Sequence, residues 1–294
     1  MLKSRPYLHL HFLVFLWGFT AILGLLIKLS FPEVVFYRTL LSFIAFIPVL
    51  LLAKVSFKVA PKAVFKLLGT GVIISFHWLL FFGAARYANA SVSLIGLATT
   101  SLWTAFLEPL ARKQRVSKLE VVFGLVIIGG IYIIYIDDFS YGVGLVMSIS
   151  SAFFAAMFTV ANSLFVKKHN PLQITFYETG GAFLGSIPFV LWYLNSDDVV
   201  LSMPSAMDWG YLLVLALVCT VYANAAWVHI LKRISAFAGN LVINLEPIYG
   251  ILLALLIFGQ SEAMNPGFYW GGAVIILTIF AYPIVSKRFR GGLK

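Results

Sequence analysis

Apolar stretches of about twenty residues follow one another along almost the whole chain, and they constrain the fold more than any other feature. The sequence of 294 residues is 61% hydrophobic and only 11% charged, whereas soluble chains carry about 25% charged residues. About 20 apolar residues form a helix that crosses a bilayer core of ~30 Å. The pattern therefore predicts an all-α polytopic membrane protein with ten transmembrane helices. They are expected at approximately 8–28, 34–53, 64–85, 90–111, 119–136, 143–166, 172–194, 209–230, 236–258 and 267–286.

Basic residues alternate between the segments that connect these helices. With the N-terminus placed in the cytoplasm, 18 of the 21 Lys and Arg residues fall in cytoplasmic segments, from Lys3 to Lys294. Lys28 and Arg86 lie near the other side and Arg38 lies within a span. The alternation follows the positive-inside rule and predicts a multi-pass protein with both termini cytoplasmic. The acidic residues of the outer loops are Glu33, Asp137, Asp138, Asp197, Asp198, Asp208 and Glu262.

The same alternation explains the net charge of +10. The basic face is turned toward the cytosol and toward anionic lipid. The expected partners are therefore the lipid bilayer and a small-molecule substrate, and no nucleic acid. Coupling to protons is a hypothesis, and the oligomeric state stays open.

An internal repeat relates the two halves of the chain. Residues 36–48 read FYRTLLSFIAFIP and residues 176–188 read FYETGGAFLGSIP, at an offset of 140. The second copy replaces Arg38 by Glu178. Further pairs are Phe19-Thr20 with Phe158-Thr159, Arg86 with Arg233, and Gly124 with Gly271.

These pairs predict that residues 1–140 and 141–294 are two five-helix repeats. Five is an odd number, so the second copy enters the membrane upside down. The halves are then related by a pseudo-two-fold axis in the membrane plane, an arrangement known from secondary transporters, with a central cavity between them.

Three segments carry a resemblance to a known family. They are WGFTAILGLLI in the first span, FYRTLL in the second, and WVHILKRISAFAGNLVINLEPIYGILLALLIFGQ from Trp227 to Gln260. On these segments the chain resembles the ten-span EamA branch of the drug/metabolite transporter superfamily. It departs from the pattern at Gln260, where Glu is frequent. The resemblance implies a permease of the bacterial inner (plasma) membrane that exports small metabolites, often amino acids, by alternating access.

Polar residues in the middle of the spans are the candidates for substrate binding, because polar groups in a bilayer are costly and face the protein interior or a wet cavity. His77 and Asn224 are separated by 147 residues and occupy equivalent depths in the two halves. The alternative for such residues is interhelical hydrogen bonding that only holds the bundle together. The full substrate-binding set is His77, Trp78, Thr99, Thr100, Ser101, Thr159, Asn162, Asn224, Trp227, Asn240 and Asn244.

Coupling or gating is expected of five residues near the ends or the middle of the spans. Glu178 is expected to bind a substrate ammonium or to carry a proton, with a solvated carboxylate at the inner mouth as the alternative. Arg38 stays charged and is expected to orient the outer mouth. The remaining three are Glu246, Tyr37 and Tyr177. Glu108 is expected to form an ordinary ion pair with Arg112, four residues further along the helix.

The sequence contains no nucleotide-binding motif, and Cys219 is its only cysteine. No cofactor, no metal and no disulfide framework are therefore expected. The favoured function is a secondary transporter, not an enzyme, that exports amino acids or related compounds. The alternatives are an exporter of purines or cationic compounds with the same fold, an intramembrane lipid-modifying enzyme, and a passive channel.

Overall fold

The computed structural model describes residues 5–137, 139–196 and 200–291, and most of these residues are helical. Of the charged residues counted above, Lys3, Asp138, Asp197, Asp198 and Lys294 lie outside the described residues. The α-helices in the described ranges are α1 (Arg5–Leu26), α2 (Phe31–Leu52), α3 (Pro61–Tyr87), α4 (Ala90–Leu97), α5 (Thr100–Ala111), α6 (Lys118–Asp137), α7 (Gly142–Phe165), α8 (Pro171–Ser196), α9 (Ala206–Leu213), α10 (Ala223–Ile230), α11 (Ala236–Ile243), α12 (Glu246–Phe258) and α13 (Pro266–Gly291).

Each of the ten predicted spans coincides with helix. Six helical stretches are long and apolar enough to cross a membrane: Leu8–Leu26, Phe31–Leu52, Pro61–Tyr87, Ala90–Ala111, Gly142–Phe165 and Ala206–Ile230. Shorter apolar helices occupy Val121–Ile136, Glu246–Phe258 and Pro266–Tyr282. Large apolar side chains such as Leu52, Trp192 and Leu256 are exposed on the outside of the bundle, as is expected of residues that face lipid. The chain is therefore a multi-pass membrane protein, and the count of ten spans stays a prediction.

Two spans are broken at equivalent positions, a feature that the apolar pattern did not reveal. The fourth span divides into α4 and α5 at residues 98–99, and the ninth divides into α11 and α12 at residues 244–245. Both breaks are tight right-handed turns, since Thr99 has φ −72° and ψ −4° and Asn244 has φ −63° and ψ −1°. Pro247 favours the second break because it has no N–H to donate to the carbonyl of Ile243. Broken helices at matching places in two halves are typical of transporter binding sites.

The eighth span contains a π-helix over Val214–Tyr222, between α9 and α10. A π-helix changes the hydrogen-bond spacing and is frequent at functional sites. Its carbonyls accept hydrogen bonds from two neighbouring helices, from Ser42 Oγ to Ala216 O (3.2 Å) and from Trp17 Nε1 to Cys219 O (3.2 Å). These bonds hold α1 and α2 against the π-helix.

The connecting loops gather at two opposite ends of the bundle. At the first, the acidic end, Lys28 N donates to Asp208 (2.9 Å) and Ser202 N donates to Glu33 (2.8 Å). Arg86 from the end of α3 also donates there, to the last carbonyls of α1.

At the second, the basic end, Gln173 donates to the carbonyl of Ser56 (2.6 Å) and Arg112 donates to Ser163 (3.2 Å). The loops that join there follow α2, α5 and α7. The two groups of loops are those that the charge alternation assigned to opposite sides.

Equivalent helices of the two halves run antiparallel where they meet. On α2 and α8, Thr39 lies beside Ser186 (3.4 Å between the hydroxyls) and Phe43 stacks on Phe176 (ring centroids 5.1 Å apart). Two further pairs of equivalent spans, the fourth with the ninth and the fifth with the tenth, also run antiparallel. Between the fourth and ninth spans, Asn240 contacts Thr104 and Glu262 contacts Ala90. Between the fifth and tenth spans, Tyr282 contacts Phe123 and Gly271 contacts Gly130.

Two tyrosines repeat one contact at the two ends. Tyr37 OH donates to the carbonyl of Ser202 (2.9 Å), which follows α8. Tyr177 OH, the equivalent residue at offset 140, donates to the carbonyl of Phe57 (2.6 Å), which follows α2. Each half thus ties its second helix to the loop after the equivalent helix of the other half.

Candidate functional site

A cavity of about 80 Å³ lies between the two halves, at the level of the helix breaks. Residues from α1, α2, α3, α4 and α5 line it on one side, and residues from α7, α10, α11 and α12 line it on the other. None of its lining residues, within the described ranges, comes from α6, α8 or α13. The lining residues are Trp17, Thr20, Arg38, Ile74, His77, Trp78, Phe81, Leu97, Thr100, Ala155, Phe158, Thr159, Asn224, Trp227, Asn240, Ile243 and Glu246.

Arg38 supplies the positive charge of the cavity. Its side chain is 2% exposed, its Nε donates to Thr220 Oγ1 (2.8 Å), and its guanidinium carbon lies 4.0 Å from the centre of the Trp78 ring. Thr220 is held in turn by a bond to the carbonyl of Leu215 within the π-helix (2.8 Å). The hydroxyl and the ring fix the guanidinium in place without neutralising its charge. In the described part of the chain no carboxylate lies within 4.0 Å of it.

Glu246 supplies the acidic group of the cavity. It is the first residue of α12 and is 5% exposed. Among the described residues its carboxylate receives no hydrogen bond and makes no ion pair within 4.0 Å. Arg38 and Glu246 thus line the same cavity as unpaired charges of opposite sign.

His77 and Asn224 both line the cavity, one from each half, but they are held differently. His77 Nδ1 lies 2.8 Å from Ser151 Oγ and 3.1 Å from the Ser151 carbonyl, so α7 fixes the ring. The Asn224 amide is half-buried and has no hydrogen-bond partner in the described ranges. A ligand in the cavity can therefore use the full hydrogen-bonding capacity of the Asn224 amide.

Aromatic rings form much of the remaining wall. Trp17 and Trp227 meet edge to face, with ring centroids 6.2 Å apart, and Phe158 contacts the His77 ring at 5.5 Å. Trp78 carries the guanidinium of Arg38, and Phe81 stands next to it on α3. The cavity therefore combines apolar surface with a few convergent polar groups, which is usual for small-molecule sites.

The structure brings most of the predicted substrate-binding residues to this cavity. His77, Trp78, Thr100, Thr159, Asn224, Trp227 and Asn240 line it, and Thr99, Ser101, Asn162 and Asn244 do not. Successive helical residues point about 100° apart, so the run from 99 to 101 presents only Thr100. Asn244 lies at the break after α11, which removes it from the face that carries Asn240.

Among the predicted coupling residues, Arg38 differs most from expectation. The position five residues into the second span suggested an outer-mouth residue, but α2 carries Arg38 to the central cavity, where Thr220 and Trp78 receive it. Glu246 joins it there. Tyr37 and Tyr177 lie away from the cavity, at the acidic and basic ends.

Glu178 is buried but lies outside the cavity lining. It is 2% exposed, which disagrees with the alternative of a solvated carboxylate at the mouth. Asn162 Nδ2 donates to its Oε2 (3.2 Å), while Glu178 Oε1 and Asn162 Oδ1 are buried without a partner in the described part of the chain. A close crossing of helices places it there, since a Cβ atom on Gly71 of α3 would collide with the Glu178 carbonyl.

Glu108 makes the expected ion pair with Arg112 (3.0 Å) and has a second task. Its other oxygen accepts from the backbone N of Phe237 (2.9 Å) at the start of α11. At the acidic end Glu262 does the same for α4, accepting from the backbone N of Ala90 (3.1 Å) and Ser91 (3.0 Å). Each half therefore caps a helix of the other half, once at each end.

Three residues of the site were missing from the predicted set. Thr20 lines the cavity opposite its repeat mate Thr159, so the repeat contained the signal for it. Trp17 lines the cavity from the middle of α1, with no distinguishing pattern. Thr220 acts through the π-helix, which the sequence did not predict.

Comparison with known proteins identifies the family of this chain. The EamA-like transporter family matches residues 6–136 and again residues 142–282. The chain belongs to the EamA-like transporter family. It is 25% identical over 226 residues to the uncharacterized transporter YetK of Bacillus subtilis (strain 168), which covers 74% of this chain and 67% of YetK. It is 24% identical over 278 residues to an uncharacterized transporter of Archaeoglobus fulgidus, which covers 92% of this chain and 95% of the relative.

The chain also superposes on a solved crystal structure whose description names no function, with a TM-score of 0.69 and 15% identity. The superposition covers 97% of this chain and 99% of the other. At that identity the likeness concerns the fold alone. The family and both relatives are named as transporters. This EamA-like chain is thus a multi-pass membrane transporter of the drug/metabolite transporter superfamily, and the name of its family describes transport and not an enzymatic reaction.

Proposed function

We propose that this EamA-like transporter exports amino acids or related small polar metabolites across the bacterial inner membrane by alternating access. One observation carries the proposal. A central cavity lies at the breaks of two equivalent helices and holds an unpaired arginine and an unpaired glutamate, Arg38 and Glu246. Unpaired buried charges cost several kcal/mol, so a cavity that keeps both is suited to a charged or strongly polar cargo.

The proposed architecture has ten spans in two inverted five-helix halves. The antiparallel course of α2 against α8 supports it, because equivalent helices of inverted repeats run in opposite directions. The tyrosine contacts support it as well, since Tyr37 and Tyr177 repeat one interaction at opposite ends of the bundle. Alternating access then consists of rocking one half against the other around the cavity.

Alternating access requires the contacts between the two halves to open at one end of the bundle at a time. Glu108 joins the halves at the basic end and Glu262 joins them at the acidic end. In alternating access, one of these links separates while the other holds. The proton-coupling role of Glu178 belongs to this proposal too, because a buried carboxylate oxygen without a partner can exchange a proton as its surroundings open.

Counterflow in proteoliposomes tests the transport proposal. Vesicles that contain the protein and an internal pool of one amino acid are expected to accumulate the labelled form from outside, faster than vesicles with no internal pool. Trans-stimulation of this kind requires a carrier. Uptake that is independent of the internal pool would indicate a passive channel and contradict alternating access.

A cationic or planar compound is the second candidate cargo, and the aromatic lining favours it. Trp17, Trp78 and Trp227 offer faces to a cation or a purine ring. The same vesicles, loaded with purines or quaternary ammonium compounds, distinguish the two classes of cargo.

Reporter fusions test the architecture. With both termini cytoplasmic, a fusion after residue 294 and a fusion in the loop of residues 53–60 are expected to report the cytoplasm, and one in the loop of residues 259–265 the periplasm. A periplasmic C-terminus together with a cytoplasmic loop at residues 53–60 would refute the even number of spans and, with it, the inverted relation of two five-helix halves.

A further inference from the structure

Arg38 has unused donors that face the cavity. Only its Nε is engaged, with Thr220, while the side chain is 2% exposed. An arginine side chain has five N–H donors in a planar fork, so the two terminal nitrogens keep theirs. That fork matches the two oxygens of a carboxylate. The Trp78 ring covers one face of the guanidinium plane and leaves its edge for such a ligand.

The break between α11 and α12 offers acceptors. Glu246 contributes two carboxylate oxygens with no hydrogen bond from the described residues, and Ile243 lines the cavity beside it. Because Pro247 has no N–H, the Ile243 carbonyl lacks its helical donor. An ammonium group carries three donors and needs acceptors of this kind.

The two sites face the same cavity and are more than 4.0 Å apart, since no ion pair joins them in the described part of the chain. A purely cationic ligand would leave Arg38 unpaired, and a purely anionic ligand would leave Glu246 unpaired. Leaving either charge buried without a partner is costly. A ligand that carries both charges satisfies both residues at once.

We infer that the cavity recognises the zwitterionic head of a free α-amino acid, with Arg38 as the carboxylate site and Glu246, together with the carbonyl of Ile243, as the ammonium site. The inference rests on the proposed function for its cargo, and it adds a requirement that transport alone does not make. Both the carboxylate and the ammonium must be free. The neighbouring rings of Trp17, Trp227 and Phe158 then receive the side chain of the amino acid.

Ligand-induced shifts of the melting temperature of the purified protein test recognition separately from transport. The probes are the twenty common amino acids, followed by the methyl ester and the N-acetyl derivative of those that stabilise the protein. The wild type is expected to be stabilised by free amino acids, with affinity about 10- to 100-fold weaker for both derivatives, because each lacks one charge-assisted interaction.

Two variants are each expected to abolish one part of this preference. Glu246→Gln is expected to lose most of its affinity for the free amino acid and to bind the N-acetyl derivative as well as the free form. Arg38→Met is expected to do the same for the methyl ester. Lys62→Met removes one exposed charge away from the cavity and is expected to keep the wild-type preference. If Arg38→Met does not fold, Arg38→Lys replaces it, because lysine keeps the charge but lacks the planar fork of donors. The Glu246→Gln measurements test the ammonium site independently of either Arg38 variant.

The outcomes separate this inference from the proposed function. Stabilisation by esters or N-acetyl derivatives equal to that by free amino acids overturns the inference, and so does a lack of stabilisation by all twenty amino acids. Counterflow of some other cargo under those conditions would leave the transporter proposal intact. Charge-dependent binding of amino acids without any counterflow would support the recognition site and refute the export of amino acids.

Discussion

Arg38 and Glu178 occupy equivalent positions in the two halves, yet the structure gives them different surroundings. Arg38 lines the central cavity, bonded to Thr220 of the eighth span and stacked on Trp78 of the third. Glu178 lies outside the cavity lining, bonded to Asn162 of the sixth span. The repeat preserves the course of the backbone, and the side chains of neighbouring helices decide what each position does. The first half thus supplies a fixed positive charge to the cavity. The equivalent acid of the second half is buried outside the cavity lining, with one carboxylate oxygen that has no partner among the described residues.

The pair His77 and Asn224 shows a milder form of the same difference. Both reach the cavity, but Ser151 fixes only His77. The second half therefore contributes a freer polar group at the equivalent depth.

Exchanging the two charges is the strongest test of this comparison. The double variant Arg38→Glu with Glu178→Arg is expected to lose about 100-fold or more in counterflow rate, because two carboxylates would then share the cavity and the new arginine would be buried beside Asn162, at a cost of several kcal/mol. The melting temperature and the amount of membrane-inserted protein are measured in parallel. A neutral pair, Arg38→Met with Glu178→Gln, repeats the test without misplaced charges. A wild-type rate in the exchanged variant would mean that the two positions are interchangeable.

Alanine substitutions at His77 and Asn224 separate binding from support. Both are expected to lower counterflow by about tenfold, the effect of one hydrogen bond to a charged group. Only His77→Ala is expected to lower the melting temperature, since it also removes the bond to Ser151. The His77→Ser variant serves as a second check, because a serine side chain is too short to reach Ser151 of α7. Normal transport in both alanine variants would return the pair to the role of interhelical hydrogen bonding.

The Glu178→Gln variant tests whether the buried acid exchanges protons. Glutamine keeps the size and the bond to Asn162 but cannot titrate, so the rate is expected to change by only a few-fold at neutral pH and to lose its dependence on pH between about 5 and 8. Uptake from the cytosolic side is expected to weaken. Lys62→Met, which removes an exposed charge away from the cavity, is the control, and it should keep the wild-type pH profile. An unchanged profile in Glu178→Gln would make this acid a structural residue.

Substitution of Thr220 tests whether its hydroxyl positions Arg38. Thr220→Val removes the acceptor of Arg38 Nε and is expected to weaken substrate affinity by about three- to tenfold, as the loss of roughly 1 kcal/mol implies. Thr179→Val is the matched control. Among the described residues, its hydroxyl bonds only to carbonyls of its own helix, those of Thr175 and Phe176. Equal effects of the two substitutions would show that the Thr220 bond does not position Arg38.

Much of the fold could be predicted because its signals are local. Apolar stretches of membrane length and the alternation of charge place the helices and sort the loops into two groups. The ion pair of Glu108 and Arg112 follows from a spacing of four on one helix and is confirmed. The breaks at residues 98–99 and 244–245 were not predicted. Their residues keep right-handed backbone angles, and only Pro247 marks one of them.

The site was harder to predict because depth in a span does not determine direction. The repeat drew attention to Arg38, His77 and Asn224, all of which line the cavity. It drew equal attention to Glu178, which bonds to Asn162 outside the cavity lining. A rotation of about 100° per residue separates a cavity residue from its neighbour, and no periodic pattern resolves that rotation in a helix that is apolar on all sides.

The sequence by itself determined that this chain spans a membrane, that it consists of two related halves, and that some of its polar residues lie in the middle of the spans. Those properties follow from composition and from comparison of one segment with another. Only the tertiary structure decided which charges meet in the cavity, because that depends on how separate helices cross. The crossing at Gly71 and Gly181 sets α8 against α3, and the π-helix turns Thr220 toward Arg38. The free energies involved come from contacts between residues more than a hundred positions apart, which no local pattern records.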